Sequence, residues 1–176
     1  MKKPIYKRVW FWVIIVILAF AVLGSGDDSS KNGGKKIGTE KTEQKEETKT
    51  KNEYYKVGDV VKVGDATYTL KSVTTTSERN EFEDSKPNYV IKIVYHVKNN
   101  SDDDLAIGID DDVYGPDNNK LDNYPISGST LDAIAPGKEK DVTVGYGTNK
   151  LGTFELHFKP ALSFEKEAIY KVKVTK

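Results

Sequence analysis

Cysteine is absent from all 176 residues. That excludes disulfides, thiolate metal sites, cysteine nucleophiles and any lipid joined through a thioether. A folded part of this chain must be held by its own core. Histidine is nearly absent, with two copies, His96 and His157. A zinc site needs a cluster of ligands, and no His/Cys cluster surrounds either one. An excess of one charge is also missing, since 27 basic residues balance 27 acidic ones. Residues 51–176 hold 17 basic and 21 acidic residues. That acidic balance argues against nucleic acid as a partner. It also argues against bulk-charge binding to anionic lipid or wall polymer.

Catalytic signatures are missing as well. No phosphate loop or dinucleotide fingerprint occurs. Ser127-Gly128-Ser129-Thr130 lacks the strand–turn–helix setting of a nucleophile elbow. The expectation is a protein that is not an enzyme and that uses no cofactor and no metal. The aspartates of Asp102-Asp103-Asp104 and Asp110-Asp111-Asp112 could suggest calcium. Read from Asp110 as an EF-hand loop, Asp112 and Gly115 fit, but Tyr114 and Leu121 do not. Consecutive strand-end aspartates point to different sides, so they read as solvated turn carboxylates.

One long apolar run is present, Val9 to Leu23. Its 15 residues make about 23 Å of helix, against a hydrocarbon core of roughly 30 Å. Ile5, Tyr6 and Gly24-Ser25-Gly26 extend it toward a full span. Trp10 and Trp12 sit where an interfacial aromatic belt lies, and Leu18 and Leu23 continue the anchor. Lys2, Lys3, Lys7 and Arg8 precede the run, which keeps the N-terminus cytoplasmic and exports the residues C-terminal to the run. The competing reading is a cleaved signal segment, with sites at Ala19-Phe20-Ala21 or Val22-Leu23-Gly24. Both readings place the rest of the chain outside the cell.

The chain then divides into residues 1–26, the anchor or signal segment, residues 27–53, a charged tether, and residues 54–176, one domain. Ile37 is the only large aliphatic residue of the tether. Its balanced Lys and Asp/Glu content cannot bury enough surface to offset chain entropy, so the tether is expected to be disordered. The 123 residues of the domain can bury a single core.

That domain reads as strands, with a period of two. Ala66, Tyr68 and Leu70 alternate with polar residues. So do Ile91, Ile93, Tyr95 and Val97, then Val142, Val144 and Tyr146, then Phe154, Leu156 and Phe158, then Tyr170, Val172 and Val174. Val63-Gly64-Asp65-Ala66 fits a two-residue hairpin with Gly64 at positive φ. Ala135-Pro136-Gly137-Lys138 fits a type II turn. Some seven or eight short strands at this spacing indicate an antiparallel β-sandwich.

Several signals fall in a familiar order. Tyr55-Lys56-Val57-Gly58-Asp59 opens the domain, and Val61-Lys62-Val63-Gly64-Asp65 makes the first hairpin. Asn88-Tyr89-Val90-Ile91 begins the central strand, and Lys98-Asn99-Asn100-Ser101 ends it. Ile134-Ala135-Pro136-Gly137-Lys138 precedes the next. Over about residues 54–160 this resembles an uncharacterised Ig-like extracellular domain family of Gram-positive lipoproteins and membrane-anchored proteins. That family is similar in fold to a secreted immunogenic antigen of mycobacteria. The resemblance implies an Ig-like sandwich and carries no catalytic residues to transfer. The chain departs from the lipidated members in having no cysteine.

Nine tyrosines lie at Tyr54 or later. Those on apolar registers read as core. Tyr114 and Tyr124 fall in the polar, Gly/Pro-punctuated segment 110–134 and read as candidates for a recognition loop, since tyrosine offers large contact area at low entropic cost. The expected protein is a non-catalytic, single-pass membrane module. Its extracellular domain binds an unknown protein or envelope component near the membrane. The alternative is a secreted, antigen-like or small-ligand-binding protein released by signal cleavage.

Overall fold

Alternation of apolar and polar side chains buries one face of each of the longer strands, and the strands expected from that alternation form. The computed structural model describes residues 32–39, 54–109 and 111–176. The anchor residues Trp10, Trp12, Leu18 and Leu23 lie outside them. Among the described residues there are ten strands and no helix, so none is long and apolar enough to cross a membrane. The strands are β1 (Lys35–Thr39), β2 (Asp59–Val63), β3 (Ala66–Thr76), β4 (Tyr89–Asn99), β5 (Leu105–Ile107), β6 (Asp112–Tyr114), β7 (Asp132–Ile134), β8 (Glu139–Thr148), β9 (Gly152–Phe158) and β10 (Ala168–Val174). A five-stranded sheet runs β1-β2-β3-β4-β8, a three-stranded sheet runs β10-β9-β6, and β5 pairs with β7. Every strand pair is antiparallel.

The two larger sheets share one core. Tyr68, Tyr95 and Val144 from the first meet Phe154, Phe158 and Tyr170 from the second, and all are buried. The ring of Phe158 stacks on Tyr68 with centroids 5.6 Å apart and an interplanar angle of 11°. It also lies 4.7 Å from Tyr95 and edge-on to Tyr170 at 5.5 Å. This is β-sandwich packing, in which the inner faces of two sheets interdigitate. Both expected turns form. Val63 pairs with Ala66 across Gly64, whose φ is 54°. Gly137 has φ 70°, and the Lys138 amide donates to the Ala135 carbonyl at 3.1 Å.

The tether needs correction. Lys35–Thr39, expected to be disordered, is the edge strand β1, pairing Lys35 with Lys62 and Thr39 with Asp59. The register slips between Lys36 and Gly38, and Ile37 is left 55% exposed. Just before it, the Asn32 side chain grips the backbone of Ile169. Its Oδ1 accepts from the Ile169 amide at 2.5 Å and its Nδ2 donates to the Ile169 carbonyl at 3.0 Å. The Gly33 amide donates to the Glu167 carbonyl at 2.7 Å. A Cβ on Gly33 would lie 2.0 Å from the Lys166 oxygen, so only glycine allows this approach. These contacts use backbone and amide groups, so a segment poor in apolar residues can still dock. The compact unit therefore includes residues 32–39 and starts well before residue 54.

Candidate binding surface

The two candidate tyrosines separate. Tyr124 is 1% exposed, so it is not an exposed recognition residue. It packs with Val90 and Ile126 in a small second core, on the face of β4 and β8 away from the main one. Its hydroxyl accepts from the Asn80 amide at 2.9 Å. Glycines on β8 make room for it: a Cβ on Gly145 would sit 2.4 Å from the Tyr124 carbonyl oxygen. Tyr114 is half-buried and belongs to strand β6 rather than to a loop.

Tyr114 lies on the outward face of the three-stranded sheet. There β9 presents Glu155 and His157 between the buried Phe154, Leu156 and Phe158. Cross-strand register puts Asp112 and Ile169 beside His157, and Tyr114 and Lys171 beside Glu155. The Tyr114 ring covers the His157 ring, with centroids 4.8 Å apart. Lys171 reaches Glu155 at 2.8 Å and stands over the Tyr54 ring, 3.9 Å from its centroid. Lys120 pairs with Asp112 at 2.5 Å. Glu167 accepts from His157 Nδ1 at 2.8 Å and pairs with Lys159 at 3.0 Å. A carboxylate only accepts, so Nδ1 carries the proton of that bond. Neither histidine is a freely solvated side chain: His157 is 15% exposed and His96 25%, the latter 2.7 Å from Asp141.

Burial pushes the Glu167 carboxyl up, but the hydrogen bonds from His157 and Lys159 outweigh it and hold the group below its ordinary value. A depressed folded-state value gives stability that is present above the unfolded value of 4.5 and is lost as pH falls through the folded one. Solvent screens these partly exposed pairs, so Glu167→Gln should cost at most about 1 kcal/mol at neutral pH. Urea denaturation should show that difference shrinking to nothing in acid. A difference as large at low pH as at neutral pH would mean that the charge of Glu167 contributes no stability.

A second polar cluster gathers on Asp111, in the segment between β5 and β6. The Tyr95 hydroxyl donates to the Asp111 carboxylate, and the Tyr146 hydroxyl donates to the Asp111 carbonyl at 2.7 Å. Burial first, then the negative charge of Asp111, pushes Tyr68, Tyr95 and Tyr146 upward, so all three remain phenols. The cavity there, between Tyr68, Gly108 and Ala161, measures about 10 Å³. That is about one water, so the cluster reads as a structural lock.

The sequence pattern of a domain of unknown function, DUF4352, matches residues 55–169. The chain belongs to the DUF4352 family. The matched span runs from just before β2 into β10 and leaves out β1 and its Asn32–Gly33 dock. No curated protein matches the sequence. Among solved structures, ycdA of Bacillus subtilis, described as a candidate lipoprotein, is 21% identical with a TM-score of 0.54. The alignment covers 64% of this chain and 38% of that protein, so this DUF4352 chain spans well under half of it. The yjhA protein of the same organism is 17% identical with a TM-score of 0.52, over 69% of this chain and 99% of that one. MPT63, a secreted protein of Mycobacterium tuberculosis, is 8% identical with a TM-score of 0.43, over 64% of this chain and 84% of that one. The two Bacillus subtilis likenesses concern fold alone, and the fold of this DUF4352 chain is a β-sandwich.

Proposed function

We propose that this DUF4352 chain is a non-catalytic, membrane-anchored, Ig-like module on the outside of a Gram-positive cell. It binds a protein or envelope component through the outward face of β10-β9-β6. The observation that carries the reading is that face itself, where Tyr54 and Tyr114 lie among ion pairs that already fix the neighbouring side chains. Surfaces ordered before binding lose little entropy on association, and aromatic rings among polar groups are common anchors. The basic flank and apolar run at the N-terminus support export and anchoring. The shape likeness to a candidate lipoprotein of Bacillus subtilis is in keeping with an extracellular setting.

The test is photo-crosslinking in cells from Tyr114 and from Lys173, an exposed residue of β10. A discrete adduct from either position supports the reading and identifies the occupant. No adduct from either position would defeat this face as the binding surface. Hydrolysis of wall glycan or peptide by the purified full-length protein would defeat the non-catalytic assignment.

A further inference from the structure

Two large apolar side chains stand fully in solvent on the β9–β10 loop, residues 159–167. Leu162 is 93% exposed and Phe164 107% exposed. The loop has a defined shape. The Ser163 amide donates to the Pro160 carbonyl at 3.0 Å, and the Glu165 amide donates to Ser163 Oγ at 3.0 Å. Leu162 sits at φ 59°, a left-handed conformation that glycine adopts freely and a bulky residue seldom does. Leu162 holds the left-handed position of the 160–163 turn, which glycine would fill with less strain, and neither it nor Phe164 is buried in the core. Such outliers gather where a segment does work outside the fold.

The chain's entry into the domain says what faces this loop. Asn32 and Gly33 are bonded to Ile169 and Glu167, at the foot of the same loop. Only Gly24 to Lys31, eight residues, separate that dock from Leu23, the last residue of the apolar run. Fully extended they reach about 30 Å at most. Along the sequence the dock therefore lies much nearer the apolar run than a tether ending at residue 53 would put the domain. Exposed Lys35, Lys62 and Lys166 lie around the entry point, with Asp65 and Glu165.

We propose that Leu162 and Phe164 insert into the surface of the bilayer in which the chain is anchored, holding the domain against the membrane by its β9–β10 end. This rests on the anchor proposed above. The molecule supplies its own control. Phe82, 89% exposed, lies in the loop that joins the end of β3 to the start of β4. The β9–β10 loop touches the opposite end of β3, where Glu165 packs on Gly64. The 11 residues of β3 put roughly 35 Å between the two.

The chain has no cysteine, so a single introduced one can be labelled cleanly. The full-length Phe164→Cys, Leu162→Cys and Phe82→Cys proteins, each with an environment-sensitive fluorophore, are reconstituted into phosphatidylglycerol/phosphatidylethanolamine vesicles. Emission from positions 164 and 162 should shift to the blue and be quenched several-fold by quenchers carried on lipid chains. Position 82 should stay aqueous. Protein that floats with vesicles but is unquenched at 162 and 164 overturns the insertion and leaves the anchor standing. Shielding without lipid quenching overturns it in favour of a protein contact. Equal quenching at all three positions overturns it in favour of general adsorption. Protein that does not float with vesicles defeats the anchor and the insertion together.

Discussion

Phe158→Ala should lower the stability of the domain by about 3–5 kcal/mol. Phe158 is 1% exposed and is the one ring in contact with Tyr68, Tyr95 and Tyr170 together. Its removal opens a cavity between the two sheets, and two of the three remaining rings are tied by their hydroxyls against collapsing into it. Tyr95 is held by Asp111 through its hydroxyl. The Tyr170 hydroxyl donates between the Asp59 and Tyr68 carbonyls, at 2.9 and 3.2 Å. To fill the space, either of these two would have to leave an acceptor unpaired, which costs about 1–3 kcal/mol in itself. The loss is a large fraction of the 5–15 kcal/mol typical of a domain. Phe158→Leu keeps most of the volume and should cost about 1–2 kcal/mol. Urea denaturation with an unchanged m-value reads both. A cost for Phe158→Ala under about 1 kcal/mol would mean that the sheets do not pack through this ring.

The order of those two variants rests on alternation, the feature the sequence shows most plainly. A strand with one face buried must repeat every two residues, so Phe154, Leu156 and Phe158 declare their direction, and the structure buries all three. Turns are as legible where a positive φ demands glycine, as at Gly64 and Gly137. What alternation cannot show is pairing that uses only backbone. β1 adds to the sheet through amides and carbonyls, and Asn32 through one side-chain amide, so composition alone reads this stretch as tether. Nor can it show a second covering layer. Tyr124 looks like a loop tyrosine because its segment is polar, yet it packs on the outer face of β4 and β8. The signal available for it was indirect: an apolar Val90 and small Gly145 and Gly147 on faces where polar side chains were expected. The outward face of β9 was harder still. Glu155, His157 and Lys159 read as ordinary solvent-facing positions, and only the register of β6 and β10 brings Tyr114, Lys171 and Glu167 to them.

That second layer leads to the other large effect, Gly145→Val. A side chain at Gly145 meets the backbone oxygen of Tyr124 at 2.4 Å and the Ile126 side chain at 3.0 Å. No rotamer change relieves a clash between a Cβ and a carbonyl, so the 122–126 segment must lift from β8. The Tyr124 amide then loses the Gly145 carbonyl at 2.8 Å, and the Gly147 amide loses the Asp122 carbonyl at 3.2 Å. The Asn123–Tyr146 bridge breaks, the Asn80 amide loses the Tyr124 hydroxyl, and Val90 is uncovered. Overpacking together with these losses should cost about 2–4 kcal/mol. Hydrogen exchange should show the amides of Asn80, Tyr124 and Gly147 losing protection while those of β9 and β10 keep theirs. Gly128→Ala is the contrast. Nothing lies within 4 Å of its Cβ, so the left-handed φ of 76° is its only penalty, about 1 kcal/mol. A Gly145→Val protein that melts with the wild type and still protects Tyr124 would show that this segment is not seated on β8.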